Sequence, residues 1–193
     1  MLFPVVALGC SGGAGSPIGT ERGVEDASPS GAADTGGPES CADRALDADV
    51  VVPARTTCTL ANRSVRGDIV VREGAVLDAT AITVDGNIQA ERAGRVVVRG
   101  STVDGDVQVK ASGGAEVHDT VVDGNLQLVG NTGPVAATGN AVDGDIQALE
   151  NTGGVTIERN NVDDNLQCKR NQPAPTGGGN VVRGSREDQC SGL

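Results

Sequence analysis

The chain has 193 residues, with 26 acidic and 15 basic side chains and a formal net charge of −11. This balance argues against a nucleic-acid partner, because binding to phosphates depends on clustered Lys and Arg. The only aromatic residue is Phe3. Residues 41–193 therefore offer neither the aromatic stacking typical of sugar-binding faces nor the aromatic hot spots of protein interfaces.

The first ten residues form a short apolar run that ends in Ala7-Leu8-Gly9-Cys10. This ending resembles the lipobox of bacterial lipoproteins, in which the cysteine is lipidated and becomes the N-terminus. The resemblance implies a signal peptide over residues 1–9, a lipid anchor on Cys10 that binds the membrane, and export to the bacterial cell surface or the periplasm. The run lacks the basic region of a signal peptide, so an apolar segment without a processing role is the alternative.

Residues 10–40 form a predicted linker. Of residues 11–40, twenty are Gly, Ser, Ala or Pro and none is aromatic. Such a composition cannot bury enough apolar surface to fold, so we predict a disordered segment. As a random coil it reaches about 30 Å, which is enough to hold a folded domain away from a membrane.

Residues 41–193 form a predicted domain that is built from one repeated pattern. The stretch VDGNIQ at 84–89 recurs as VDGDVQ, VDGNLQ, VDGDIQ and VDDNLQ, at steps of 19, 19, 20 and 20 residues. Weaker copies begin at Leu46, Val65 and Val182. A fixed period of this length predicts a solenoid.

Each period contains two alternating apolar runs separated by turn residues. Ile88 and Ala90 alternate with Asn87, Gln89 and Glu91, which is the periodicity of a strand, and a second run follows at 96–98. A coil of 19–20 residues holds two or three short strands and no helix. We therefore predict an all-β fold, a single-stranded right-handed parallel β-helix of about eight coils and about 38 Å in length.

The repeated letters have structural interpretations. We number the six residues of each copy of VDGNIQ as its first to sixth letters. The first and fifth letters form aliphatic columns that we expect to face inward. The Asp-Gly pair predicts a turn in which the glycine adopts positive φ. From Asp68 onward the fourth letter alternates between Asp and Asn. Carboxylates stacked about 4.8 Å apart would repel by about 1 kcal/mol even in water, so alternation separates the like charges.

Three columns carry amide side chains, which can hydrogen-bond along a solenoid axis. We interpret all three as scaffold, and for the glutamines a polar binding face is the alternative. The glutamine column comprises Gln89, Gln108, Gln127, Gln147 and Gln167; the asparagine columns comprise Asn131, Asn151 and Asn171, and Asn140, Asn160 and Asn180.

The second letter forms an acidic column with Arg66 and Arg183 at its two ends. Our interpretation is that each carboxylate caps its own turn and stays hydrated, without a cofactor. The alternative is a row of metal sites for Ca²⁺, which prefers several carboxylate and carbonyl oxygens. The column comprises Asp85, Asp104, Asp123, Asp143 and Asp163.

Four cysteines besides Cys10 lie in the repeat domain, and three pairings are open. Cys41 and Cys58 are 17 residues apart, and Cys168 and Cys190 are 22 apart, so each pair spans about one coil. We predict the disulfides Cys41–Cys58 and Cys168–Cys190, which would join each terminal coil to its neighbour. Such bonds imply an oxidising compartment.

The coils, together with the C-terminal stretch DDNLQCKRNQPAPTGGGNVVRGSREDQC, resemble a family of uncharacterised exported bacterial proteins predicted to be right-handed parallel β-helices. The resemblance covers residues 46–193 and implies the fold and export, but no catalytic residue. The coil is more distantly similar to the pectate-lyase-like fold and to the polymer-forming bactofilins. Coils this short leave no room for the long loops that form the cleft of the lyases.

Three hypotheses for function follow. The first is a non-enzymatic surface lipoprotein, a rigid tethered rod that acts in envelope structure or adhesion, with an envelope polysaccharide or protein as its partner. The second is a lyase-like or hydrolase-like enzyme on acidic polysaccharide, with Ca²⁺ on the acidic column and Lys110, Lys169 or Arg170 as its base. The third is a Ca²⁺-binding surface module. The single histidine, His118, is interpreted as an exposed coil residue.

Overall fold

A computed structural model describes residues 47–193. The predicted signal peptide at 1–9, Cys10, the linker at 10–40 and Cys41 lie outside the described residues. The described part of the chain contains 22 short strands and no helix, which confirms the all-β prediction. The strands stack in parallel into one sheet of eight strands and two sheets of seven. The fold is thus a β-solenoid of about seven turns, close to the predicted eight.

We number the strands β1 to β22 in chain order, and every third strand belongs to the same sheet. Sheet 1 contains β1 (Val50–Val52), β4 (Ile69–Val71), β7 (Ile88–Glu91), β10 (Val107–Lys110), β13 (Leu126–Val129), β16 (Ile146–Leu149), β19 (Leu166–Lys169) and β22 (Arg186–Asp188). Sheet 2 contains β2 (Thr57–Ala61), β5 (Val76–Thr80), β8 (Arg95–Arg99), β11 (Ala115–His118), β14 (Val135–Thr138), β17 (Val155–Glu158) and β20 (Thr176–Gly178). Sheet 3 contains β3 (Ser64–Val65), β6 (Thr83–Val84), β9 (Thr102–Val103), β12 (Val121–Val122), β15 (Ala141–Val142), β18 (Asn161–Val162) and β21 (Val181–Val182).

The register places equivalent letters of the repeat beside each other. Val107 pairs with Ile88 on one side and with Leu126 on the other. Neighbouring strands of a sheet are about 4.8 Å apart, so each repeated letter forms a column along the solenoid axis. The period of 19–20 residues that is visible in the sequence is therefore the length of one turn.

The two predicted aliphatic columns form the core. Apart from Val182, which is partly buried, every member is at most 1% exposed. Burial of a side chain of this size stabilises the fold by about 1.5–3 kcal/mol. No coil can bury its apolar residues alone, so stacking supplies the core.

The two asparagine columns are also buried, and each asparagine except the last, Asn180, bridges three coils. Asn151 Oδ1 accepts hydrogen bonds from Asn131 N at 2.9 Å and from Asn131 Nδ2 at 3.0 Å. Asn151 Nδ2 in turn donates to Leu128 O at 2.8 Å and to Asn171 Oδ1 at 2.9 Å. The scaffold interpretation of these two columns is confirmed.

The predicted conformation of the repeat glycine is wrong. Gly86, Gly105, Gly124 and Gly144 do not have positive φ, nor does Asp164 in the equivalent place. Most residues with positive φ lie instead at the bends that follow the strands of sheets 1 and 2, and a few lie in or next to β17, β20 and β22. At Gly124 the neighbouring coil passes too close for a side chain: a Cβ would lie 2.4 Å from Asp106 Oδ1 and 2.8 Å from Gly105 O.

The C-terminal coil is joined to its neighbour by a disulfide. Cys168 and Cys190 are bonded, with their Cα atoms 5.1 Å apart, and both side chains are fully buried. This confirms the predicted C-terminal pair. Cys58 is fully buried in β2, and its predicted partner Cys41 lies outside the described residues, so the N-terminal pair stays a prediction.

Candidate functional site

The outer surface of sheet 1 presents two columns of outward side chains, which we call the glutamine face. The first column is the glutamine column of the repeat, in which Gln89 is exposed and the others are half-buried. The second column lies two residues further along each strand. It comprises Glu91, Lys110, Val129, Leu149 and Lys169, in register on β7, β10, β13, β16 and β19.

The fourth letters of the repeat form a ladder along one edge of this face. Asp106 Oδ1 accepts hydrogen bonds from Asn125 N at 2.7 Å and from Asn125 Nδ2 at 3.1 Å. Asn125 Oδ1 then accepts from Asp145 N at 3.0 Å. The alternation of Asp and Asn therefore places an amide donor between successive carboxylates, as the charge argument predicted.

The hydrogen bonds of this ladder act on the pKa of Asp106. Partial burial raises that pKa, because desolvation penalises the charged form. The opposing effects together are larger: Asn125 and Gln108 donate hydrogen bonds to the carboxylate, and Lys110 adds a favourable charge. The pKa of Asp106 consequently lies below its usual value.

The same alternation divides the glutamines into two groups. Gln108 Nε2 donates to Asp106 Oδ2 at 3.1 Å, and Gln147 Nε2 donates to Asp145 Oδ2 at 3.4 Å. Gln89, Gln127 and Gln167 each follow an Asn instead of an Asp, and their side-chain amides make no hydrogen bond to any other described residue. Free amides therefore recur at every second coil, about 9.6 Å apart.

A shallow groove of about 520 Å³ crosses the N-terminal half of the glutamine face. Gln89 and Gln108 lie in the groove, together with Arg72, Glu91 and Lys110. The volume is in the range of small-molecule sites, and the lining combines these polar side chains with Val70, Val71 and two alanines. Its amides, carboxylates and cations can exchange hydrogen bonds with a hydroxyl-rich ligand, and its Val and Ala side chains can contact the apolar parts of that ligand.

The three predicted base candidates do not converge on one point. Lys110 and Lys169 occupy the same column three strands apart, which corresponds to about 14 Å. Arg170 lies at the following bend and forms an ion pair with Glu150. Only Lys110 borders the groove.

The acidic column lies at the corner between sheets 3 and 1, at the opposite end of the sheet 1 strands from Lys110. The side chains of Asp85, Asp104, Asp123 and Asp143 make no hydrogen bond or ion pair to other described residues, so the expected turn caps do not form. Asp163 pairs with Arg183 at 2.7 Å. Within residues 47–193, no three His, Cys, Asp or Glu side chains are grouped so that they could hold a metal ion.

A charged cluster on sheet 2 was not predicted from the sequence. Glu116 pairs with Arg95 and, at 3.1 Å, with Arg99. His118 Nε2 lies 3.6 Å from the same carboxylate. His118 belongs to β11 and is half-buried, so its interpretation as an exposed coil residue is wrong. The cluster borders a second groove of about 330 Å³.

Two effects compete on the pKa of Glu116. Partial burial raises it, but the hydrogen bond from Arg95 and the charges of Arg95, Arg99 and His118 lower it by more. The net result is a pKa below the usual value for Glu. The cluster joins residues 17 to 21 positions apart, and the only signal in the sequence was the one-coil separation of opposite charges at outward positions.

No protein-family model matches the sequence, and neither a curated protein nor a solved structure matches it. Over residues 47–193 the structure contains no helix that is long and apolar enough to cross a membrane. Fold and face together define a β-solenoid with a polar, amide-rich outer surface.

Proposed function

We propose that the protein is a non-enzymatic surface lipoprotein: a rigid β-solenoid, tethered by a lipid on Cys10, that acts in envelope structure or adhesion. The N-terminal sequence supports the tether, because its Ala-Leu-Gly-Cys ending resembles a lipobox. The disulfide between Cys168 and Cys190 supports export, because such bonds persist in oxidising compartments. The linker at 10–40 separates the anchor from the solenoid.

The observation that carries the proposal is the continuity of the polar ladders. In the fourth-letter column, each side-chain oxygen accepts the backbone N–H of the next coil, without a break from Asp49 to Ser185. The buried asparagine columns add bonds across successive coils. Every coil is thus linked to its neighbours by side chains as well as by backbone, which favours a stiff element over one that opens around a substrate.

Membrane fractionation tests the tether. Cys10→Ser removes the only thiol that a lipobox can lipidate, so we expect the wild type in the membrane pellet and the variant in the soluble fraction. Circular dichroism of the variant should be unchanged, because the linker separates residue 10 from the solenoid. A Cys10→Ser protein that still pellets with membranes contradicts the tether.

A second candidate function is favoured by the groove on the glutamine face. Lys110 lies there beside Gln89 and Gln108, an arrangement that suits an enzyme acting on acidic polysaccharide. Product release from such a polymer, measured with and without Ca²⁺, separates the two functions. Activity that Lys110→Ala abolishes and Lys169→Ala preserves would establish the enzyme and contradict the non-enzymatic rod. If the protein is a rod, we expect no product release.

A further inference from the structure

The outward side chains of the glutamine face are arranged symmetrically about β13. Two strands before β13 lies β7, with Gln89 and Glu91, and two strands after it lies β19, with Gln167 and Lys169. The central strand carries Gln127 and Val129. The free amides of Gln89, Gln127 and Gln167 are therefore evenly spaced about the centre, and charges of opposite sign occupy the two ends.

We propose that the glutamine face binds a second copy of this chain in an antiparallel dimer. Its two-fold axis lies in the interface between the two copies, in front of β13 and parallel to the strands. This operation places each column against the same column of the second copy and reverses the order of the strands. A two-fold interface is self-complementary by construction, and this face satisfies that requirement.

The charges at the ends of the face become complementary under this operation. Glu91 on β7 comes opposite Lys169 of the second copy, and the reciprocal contact forms at the other end. One strand further out, Arg72 follows β4 in the column of Glu91, whereas Glu187 on β22 lies in the glutamine column. These two opposite charges therefore reach the same end of the interface, offset by two residues along the strands. Lys169, Arg72 and Glu187 make no ion pair with any described residue, and Glu91 pairs only with the exposed Arg92.

The centre of the face supplies apolar and amide contacts. Val129 and Leu149 point outward on adjacent strands and are half-buried. The two-fold axis brings Val129 against its own counterpart and places Leu149 opposite Lys110 of the second copy, whose aliphatic stem can pack on it. The free amide of Gln127 faces Gln127 of the second copy, and Gln89 faces Gln167. A carboxamide both donates and accepts, so such pairs are self-complementary.

The face is small, which sets the expected strength of the dimer. Five strands of about 4.8 Å spacing, two outward residues wide, bury roughly 300–500 Å² per copy. Stable interfaces bury about 800 Å² per partner, so the contact is weak in solution. Attachment to a common membrane would raise the effective concentration and favour the dimer. That last step depends on the proposed lipid anchor, whereas the geometry of the face does not.

Cysteine cross-linking tests the position of the two-fold axis. Val129→Cys is introduced into the full chain carrying Cys10→Ser, so that neither acylation nor the Cys10 thiol interferes. Mild oxidation should convert this variant into a covalent dimer, because the introduced thiols of the two copies meet at the axis. The matched control is Thr156→Cys, on the exposed outer side of β17 in sheet 2. Cross-linking of both variants, or of neither, overturns the proposal.

Charge reversal tests the pairing of the ends. In sedimentation equilibrium at about 0.15 M salt, where exposed charges more than about 8 Å apart are largely screened, we expect Lys169→Glu and Glu91→Lys each to weaken dimerisation at least fivefold. The double variant should recover most of the loss, because it restores opposite charges at the same place. Arg63→Glu, an exposed site outside the face, controls for the change in net charge caused by Lys169→Glu. Additive losses in the double variant overturn the antiparallel pairing.

The outcomes separate this proposal from the tether. If the chain dimerises through Val129 but its Cys10→Ser variant still pellets with membranes, the dimer proposal is supported and the lipid anchor is contradicted. If the chain stays monomeric at all concentrations but Cys10→Ser releases it from membranes, the lipid anchor is supported and the dimer proposal is overturned. Saturable binding of an envelope polysaccharide that is lost in Gln89→Ala/Gln127→Ala, without self-association, assigns the face to that ligand instead.

Discussion

Removal of one buried asparagine should destabilise the solenoid strongly. In Asn151→Ala, four hydrogen bonds of a fully buried side chain disappear. The backbone N–H of Asn131 donates only to Asn151 Oδ1 among the described residues, so it becomes a buried donor without an acceptor. That alone costs about 1–3 kcal/mol, and the other lost bonds bring the total to about 2–5 kcal/mol.

Urea unfolding followed by circular dichroism measures this loss. For a domain of this size, about 1 kcal/mol corresponds to roughly 2–4 °C in Tm, so a thermal melt of Asn151→Ala should show a decrease of about 5–15 °C. The control is Thr156→Ala, an exposed side chain on β17 for which we expect a change below about 0.5 kcal/mol. Hydrogen exchange should accelerate at the amide of Asn131.

Asn151→Asp distinguishes the two halves of the interaction. The carboxylate keeps the acceptor for both Asn131 donors, but it lies 2.8 Å from Leu128 O and 2.9 Å from Asn171 Oδ1, where a donor was needed. We expect it to be destabilising at neutral pH and partly rescued by acid, which protonates the carboxyl. A loss below about 1 kcal/mol in Asn151→Ala, or one equal to that of Thr156→Ala, would refute the argument.

Three further predictions concern other columns. Gly133→Ala should cost at least about 2 kcal/mol by overpacking, because its Cβ would lie 1.6 Å from Gly113 O, whereas Gly192→Ala meets nothing within 4 Å and should be neutral; equal urea midpoints would contradict this. The pKa of Asp106 is lowered in the folded state, so its contribution to stability is present above its unfolded pKa of about 3.9 and is lost as the pH falls through the folded pKa. Asp106→Asn should therefore lose less stability than the wild type when urea melts are compared between neutral pH and about pH 3, and an unchanged acid loss would count against the ladder argument. Wild-type Tm should change by less than about 2 °C between EDTA and millimolar Ca²⁺, and a larger rise that disappears in Asp104→Asn/Asp123→Asn would establish metal binding by the acidic column.

The sequence by itself determined the architecture of the described residues. A period of 19–20 residues fixes which letters stack, because parallel strands pair position by position with the next coil. The inward columns, the two asparagine ladders and the Cys168–Cys190 bond all follow from that register. In each case the same letter, or a pair one coil apart, recurs at the stacking distance, so the contact could be predicted without coordinates.

The tertiary structure alone decided the properties that depend on how close two coils approach. The glycine of the repeat looked like a turn residue, yet it is required because Asp106 Oδ1 and Gly105 O leave no room for a Cβ at Gly124. Local sequence patterns report backbone preferences, whereas this constraint arises from atoms eighteen and nineteen residues away.

The sequence predicted which residues form the candidate site, but not which of their side chains make hydrogen bonds. The glutamine column was evident from the repeat, but which amides are free depends on whether the side chain two residues earlier is Asp or Asn and on how that side chain is oriented. The Glu116 cluster was missed because the outward residues of sheet 2, unlike the glutamine column, do not recur from coil to coil. The one-coil separation of Glu116 from Arg95 and Arg99 was the only signal. Stacking determines the environment of the inward side chains, because they are buried and their backbones pair from coil to coil. The contacts of the outward side chains depend only on the particular neighbours that folding brings within reach.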